Sequence, residues 1–229
     1  SKLLRFESSM IDEGKLTSLD DYLTRMKESQ DKIYFQISSD RESIEGAPYL
    51  EAFKARGIEV LFLYEAIDEY LVGNLPSYEE KELVSIDRSD LELEQIENDK
   101  KGLDDPSMLS LCEWMKETLG ERVAEVKSST RLINSPAAAL ITGGAMSPQM
   151  KQMMKQMNPD FSGSENVEIE LNPNHELIQK LESSREDQPE LAKMIAEQIT
   201  DNALLSAGLL DKSKGMVDRV HDIMLKSLN

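Results

Sequence analysis

A chain of 229 residues with 39% hydrophobic and 31% charged side chains has material for one or two small cores and is not a disordered composition. Its net charge of −18 excludes a general nucleic-acid footprint, which needs clustered cations. No run approaches the roughly 18 consecutive apolar residues of a membrane span. Cys112 is the one cysteine, so an intrachain disulfide is excluded, a thiolate zinc site is close to excluded, and a reducing compartment is expected.

The first residues, Ser1 to Phe6, hold no apolar core of signal-peptide length and read as a segment from the middle of a longer chain. Thr17-Ser18 followed by Asp20 and Asp21 predicts a helix start, with hydroxyl cap and acidic first turn. Leu19, Tyr22, Leu23 and Met26 then supply an amphipathic stripe. Ile33 to Ile37 predicts a strand, Pro48 opens a helix that Gly57 can stop, and the apolar run Ile58 to Tyr64 predicts a strand covered on both faces. A helix from about Ala66 and a strand over Leu83 to Ile86 complete crossover units. Their alternation implies a small α/β layer domain with a largely parallel sheet.

From Asp90 to Asp105 the composition turns acidic, and the stretch reads as a connector whose charges form a solvated face. A helix over Ser107 to Leu119 opens a second domain, stopped by Gly120. Strands are predicted at Val123 to Val126 and at Leu132 to Thr142, the latter broken by Pro136. Val167 to Leu171 alternates apolar and acidic, the pattern of a strand with one buried face. After Asn172-Pro173 the chain is predicted helical to its end. The fold class is therefore α/β, or α+β overall: a small α/β layer domain over 1–95, then an α+β domain over 96–229 ending in a two-helix element.

Catalysis finds no residues to stand on. There is no phosphate loop, no dinucleotide fingerprint and no nucleophile motif, and Gly143-Gly144 lacks a following Lys. His175 and His221 stand at no metal-ligand spacing, and His175 suits a helix cap or a surface role.

Two features rise above this background. Met146, Met150, Met153, Met154 and Met157 form one face of an amphipathic helix between Ser147-Pro148 and Asn158-Pro159, holding five of the 12 methionines. Such a face either packs on its own core or accommodates partners of varied shape. The second is the C-terminal helix pair. Leu191, Met194, Ile195, Ile199 and Leu204 (or Leu205) lie on the first helix, and Met216, Val217, Val220, Ile223 and Met224 on the second. These stripes either pack internally or pair with a second copy in a four-helix arrangement.

Several blocks, in order, resemble the heat shock protein 90 family of molecular chaperones. Leu3-Leu4-Arg5-Phe6-Glu7-Ser8-Ser9 and Thr17-Ser18-Leu19-Asp20-Asp21-Tyr22-Leu23 are similar to blocks of its distal middle domain, as are Ile33-Tyr34-Phe35, Gly57 to Leu61 and Ile67-Asp68-Glu69-Tyr70. Leu119-Gly120-Glu121-Arg122-Val123, Arg131-Leu132 with Ser135-Pro136-Ala137, and Leu171 to His175 continue into its C-terminal dimerisation domain. The resemblance implies an ATP-dependent chaperone. On it, this piece is expected to be no enzyme and to hold no cofactor, with ATP and Mg confined to another part of the whole protein. It implies a homodimer through the C-terminal helices and unfolded or partly folded client proteins as partners, with no nucleic acid and no membrane. Glu69, Tyr70 (a family Trp position) and the five methionines are the client-binding residues so implied. A purely structural dimerisation module without a client site is the alternative. The sequence stops at Asn229 without the acidic co-chaperone motif of eukaryotic cytosolic members. A bacterial-type cytoplasmic protein is therefore expected, with a mitochondrial or other organelle matrix as the alternative.

Overall fold

The computed structural model describes residues 3–91, 93, 102–142, 157, 167–210 and 213–228. Two compact units emerge, Ser1–Asp87 and Arg88–Asn229.

In the first unit, three parallel strands form the middle of a sheet: β2 (Lys32–Ile37), β3 (Val60–Leu63) and β5 (Lys81–Ser85). Two-residue strands, β1 (Glu7–Ser8) and β4 (Ser77–Tyr78), close its edges antiparallel, giving the order β1-β3-β2-β5-β4. All four residues of β3 are buried, as a central parallel strand requires. The helices are α1 (Leu19–Arg25), α2 (Arg41–Glu45), α3 (Pro48–Ala55) and α4 (Ala66–Asn74). A capping box of Ser18 and Asp21 starts α1, and Pro48 at the first turn starts α3. Gly57, at φ 58°, takes the left-handed turn into β3.

Polar groups inside this unit are matched. Glu59, which is buried, accepts from Arg25 Nε and Nη2, both at 2.8 Å, and from Ser8 Oγ at 2.5 Å. The Tyr22 hydroxyl is buried; it accepts from the Tyr34 amide at 3.0 Å and Gln30 Nε2 at 2.9 Å, and donates to the Glu59 carbonyl at 2.8 Å. The β4–β5 hairpin turns through Glu79 and Glu80 at φ 45° and 64°, positions that glycine or asparagine would occupy with less strain.

The second unit is a three-stranded sheet covered by helices. β8 (Val167–Leu171) lies between β6 (Glu125–Ser128), to which it is parallel, and β7 (Ala137–Ile141), to which it is antiparallel. The helices are α5 (Asp105–Leu119), α6 (Glu176–Ser184), α7 (Pro189–Ser206) and α8 (Lys214–Ser227), with a single 3-10 turn at Gly120–Arg122 after α5. Mixed helix and sheet, with no closed barrel among the described residues, is the α/β class expected.

Three local expectations change. Pro136 does not break a strand: β7 begins after it, and the Asn172 side chain holds the preceding loop by donating to the Ile133 and Ser135 carbonyls at 3.2 and 3.0 Å. The strand predicted to begin at Val123 starts at Glu125. Most telling is β8, where all five residues are buried. Glu170 is held by a bidentate Arg131, Nε and Nη2 both at 2.9 Å, and by Ser129 Oγ at 2.7 Å, while Lys127 pairs with Glu168. Alternation marked the strand correctly, but its acidic face is covered rather than solvated.

Candidate interaction surfaces

The C-terminal pair is built on α7. Its buried face, Ala192, Ala196, Ile199, Ala203 and Leu204, belongs to the core of the second unit, and α7 packs against β7. The alanines allow a close approach, since small side chains keep the helix axis near the sheet. Gly208 at φ 69° ends α7, with the Leu209 amide donating back to the Leu204 carbonyl at 2.8 Å.

On the same helix Leu191, Met194 and Ile195 are half-buried, and Leu205 is 54% exposed. Ile199 and Leu204, expected at a dimer contact, therefore point into their own core.

α8 packs on α7 but has no buried residue. Met216, Val220 and Ile223 are half-buried along one side, spaced i, i+4, i+7. Val217, Met224, Leu225 and Leu228 are exposed, Leu228 at 83%. This leaves an apolar row of α8 uncovered.

Polar groups fix how α8 meets α7. Arg219 donates through Nε to Glu197 at 3.0 Å and through Nη1 to Asp201 at 2.7 Å. Asp201 is buried and also pairs with Arg122 of the 3-10 turn. Sequence reading did not bring these four residues together. Asp201 interrupts an otherwise apolar stripe, and that interruption was the available signal.

In the first unit α4 presents Ile67 and Tyr70 to solvent, Tyr70 at 70% exposure, while Leu71 and Val72 turn toward the core. Glu69 lies in the same helix. Met157 is 72% exposed. Met146, Met150, Met153 and Met154 lie outside the described residues, as do Gly143-Gly144 and most of the acidic connector.

The titratable residues weighed for chemistry have structural roles. His175 caps α6, its Nδ1 accepting from the Leu177 amide at 3.1 Å. Cys112 is buried in the core, and desolvation pushes its thiol up to about 11, which keeps it neutral and unreactive near pH 7. Among the described residues no group of three or more His, Cys, Asp or Glu is gathered to hold a metal ion, so no residue is assigned to Mg. Among those same residues no helix is long and apolar enough to cross a membrane.

The family model described as Hsp90 protein matches residues 1–229. The chain belongs to the Hsp90 family. Relatives of this Hsp90-family chain include the chaperone protein HtpG of Desulfitobacterium hafniense, 41% identical over 230 residues, covering 99% of this chain and 37% of the relative. Heat shock protein 75 kDa, mitochondrial, of Rattus norvegicus is 35% identical over 238 residues, covering 100% of this chain and 34% of the relative. The chaperone protein HtpG of Psychrobacter arcticus is 36% identical over 231 residues, with 99% and 35% covered. The chain thus spans about a third of the length of the curated relatives it matches.

Membership of a family whose matched relatives are chaperone and heat shock proteins is established by these matches. The same matches correct two expectations. The Hsp90 match covers the whole of residues 1–229, which overturns the expectation that this piece stands outside the family's ATPase activity. It likewise overturns the expectation of no ATP and no Mg. Neither exclusion is retained.

Proposed function

We propose that this chain supplies a homodimerisation surface and a client-binding surface to an ATP-dependent chaperone of the Hsp90 family. Residues 1–95 would be the distal part of the family's middle domain and 96–229 its C-terminal dimerisation domain, in keeping with the order of the sequence blocks. The observation that carries the reading is the uncovered apolar row of α8, Val217, Met224, Leu225 and Leu228. A helix pair meeting its own copy about a two-fold axis buries each such residue twice. Bacterial chaperones and a mitochondrial heat shock protein among the relatives support a bacterial-type cytoplasmic setting, with an organelle matrix as the alternative.

Sedimentation equilibrium tests the dimer. Val217→Asp and Met224→Asp place a charge on exposed positions, leave the core alone and remove apolar burial from both copies. At ~1.5 kcal/mol per buried side chain and two copies, the dimer is expected to weaken roughly 100-fold. A wild-type chain that stays monomeric at high micromolar concentration sinks the reading.

For the client surface the supporting observation is the exposed pair Ile67 and Tyr70 on α4, together with exposed Met157. Tyr70→Ala is expected to weaken binding of a reduced, carboxymethylated unfolded protein roughly tenfold, with folding unchanged because the ring touches no core. Unchanged binding, or no binding by the wild type, would favour a purely structural dimerisation module.

A further inference from the structure

This inference rests on the self-association reading above and concerns what holds its surface in place. None of the apolar side chains of α8 belongs to the core of the second unit or to the partly buried groups packed on it, among the described residues. Apolar burial fixes this helix only through the half-buried Met216, Val220 and Ile223. Its deepest attachment is ionic. The Arg219 side chain is only 15% exposed, and it reaches Asp201 and Glu197 on α7.

The Asp201 side chain is 4% exposed and gathers two guanidinium groups, Arg219 from α8 and Arg122 from the turn after α5. These cations lie 79 residues before and 18 residues after it in sequence. A buried carboxylate is stabilised by each cation matched to it, so Asp201 and Glu197 together favour one place for Arg219. The planar fork of arginine also sets a direction, which a point charge does not. Arg219 directly precedes Val220 and stands one turn after Met216, beside the half-buried face of α8. Holding it there turns Val217 and Met224 outward.

We propose that Arg219, Asp201 and Arg122 form the positioning device that locks α8 onto α7 in the orientation that presents Val217 and Met224 to a second copy. None of the three need touch that copy. Their effect is on the face α8 shows, so they are positioning residues.

The test is sedimentation equilibrium on the whole chain, with the near-UV circular dichroism of Trp114, the sole tryptophan, reporting the fold of the second unit. Arg219→Gln is expected to weaken the dimer tenfold or more while the Trp114 signal is unchanged. Arg219→Lys keeps the charge without the fork and should recover part of that loss. Asp201→Asn is the second route to the same break. The double variant Arg219→Gln/Asp201→Asn should lose less than the sum of the two single losses, because the Arg219–Asp201 contact is common to both. Dimerisation of Arg219→Gln and Asp201→Asn within twofold of the wild type would overturn the proposal, and so would additive losses in the double variant. A monomeric wild type would instead overturn the self-association reading itself, so the two failures are told apart.

Discussion

Arg131→Met is expected to destabilise the second unit by about 3–5 kcal/mol, the cost of removing one partner from a buried ion pair. Both side chains are almost sealed, 5% exposed for Arg131 and 8% for Glu170. Without the guanidinium, the Glu170 carboxylate keeps only Ser129 Oγ from its present partners. The Arg88 carbonyl loses its 3.1 Å donor from Arg131 Nη1 as well. Urea unfolding followed by Trp114 fluorescence reads the change, since that ring lies on α5 and packs on the affected core.

The double variant Arg131→Met/Glu170→Leu separates two meanings of this loss. Replacing both partners with apolar groups removes the desolvation penalty together with the attraction. The double variant should therefore recover most of the stability lost in the single one. If it is as unstable as Arg131→Met, the pair's value lies in attraction and geometry, and the account of an abandoned buried charge is wrong. A loss below about 1 kcal/mol in the single variant, the level of an exposed ion pair, would show that water reaches Glu170.

Glu170 also shows where the sequence stops being readable. Alternation over Val167 to Leu171 located the strand, because side-chain direction has a period of two residues and depends only on local backbone. It could not tell that the acidic face is covered, because the cation that neutralises Glu170 stands 39 residues away. The same division holds elsewhere. Pro48, the Ser18–Asp21 box and the His175 cap are local signals, and each marks a helix start in the structure. The two-residue edge strands β1 and β4 and the five-residue α2 are too short to hold a period, and none was foreseen. In the C-terminal pair, periodicity identified apolar stripes without saying what covers them. It grouped Ile199 with Val217, yet one is 3% exposed and the other 49%. Leu204 and Leu205 were interchangeable as sequence, whereas only Leu204 faces the core.

Tyr22→Phe should cost the first unit about 3 kcal/mol, and the loss should shrink in alkali. The substitution keeps the ring and removes one hydroxyl that serves the Tyr34 amide, Gln30 Nε2 and the Glu59 carbonyl, all in a buried setting. Each buried polar group left without a partner costs about 1–3 kcal/mol, and the Tyr34 amide lies in β2, where water cannot replace the hydroxyl. Burial is also the main reason the Tyr22 phenol is raised far above its ordinary value, because desolvation penalises the phenolate. In the unfolded chain the phenol ionises near ~10. Folding holds it neutral beyond that point, so its stabilising contribution is complete below pH ~10 and is lost as the pH climbs toward the raised native value. Tyr64 and Tyr78, each pushed up to about 12, add a similar alkaline slope to both proteins. Tyr64 owes its shift first to burial, and Tyr78 to its hydrogen bond with Asp20. The gap between wild type and Tyr22→Phe should therefore be constant from pH 7 to 9 and narrow above ~10. Hydrogen exchange of the β2 and β3 amides measures the gap at the lower pH values, and urea unfolding followed by far-UV circular dichroism follows it into alkali. A gap that stays constant through pH 11 would mean that the phenol is not held neutral by the fold, and the burial argument for Tyr22 would fail.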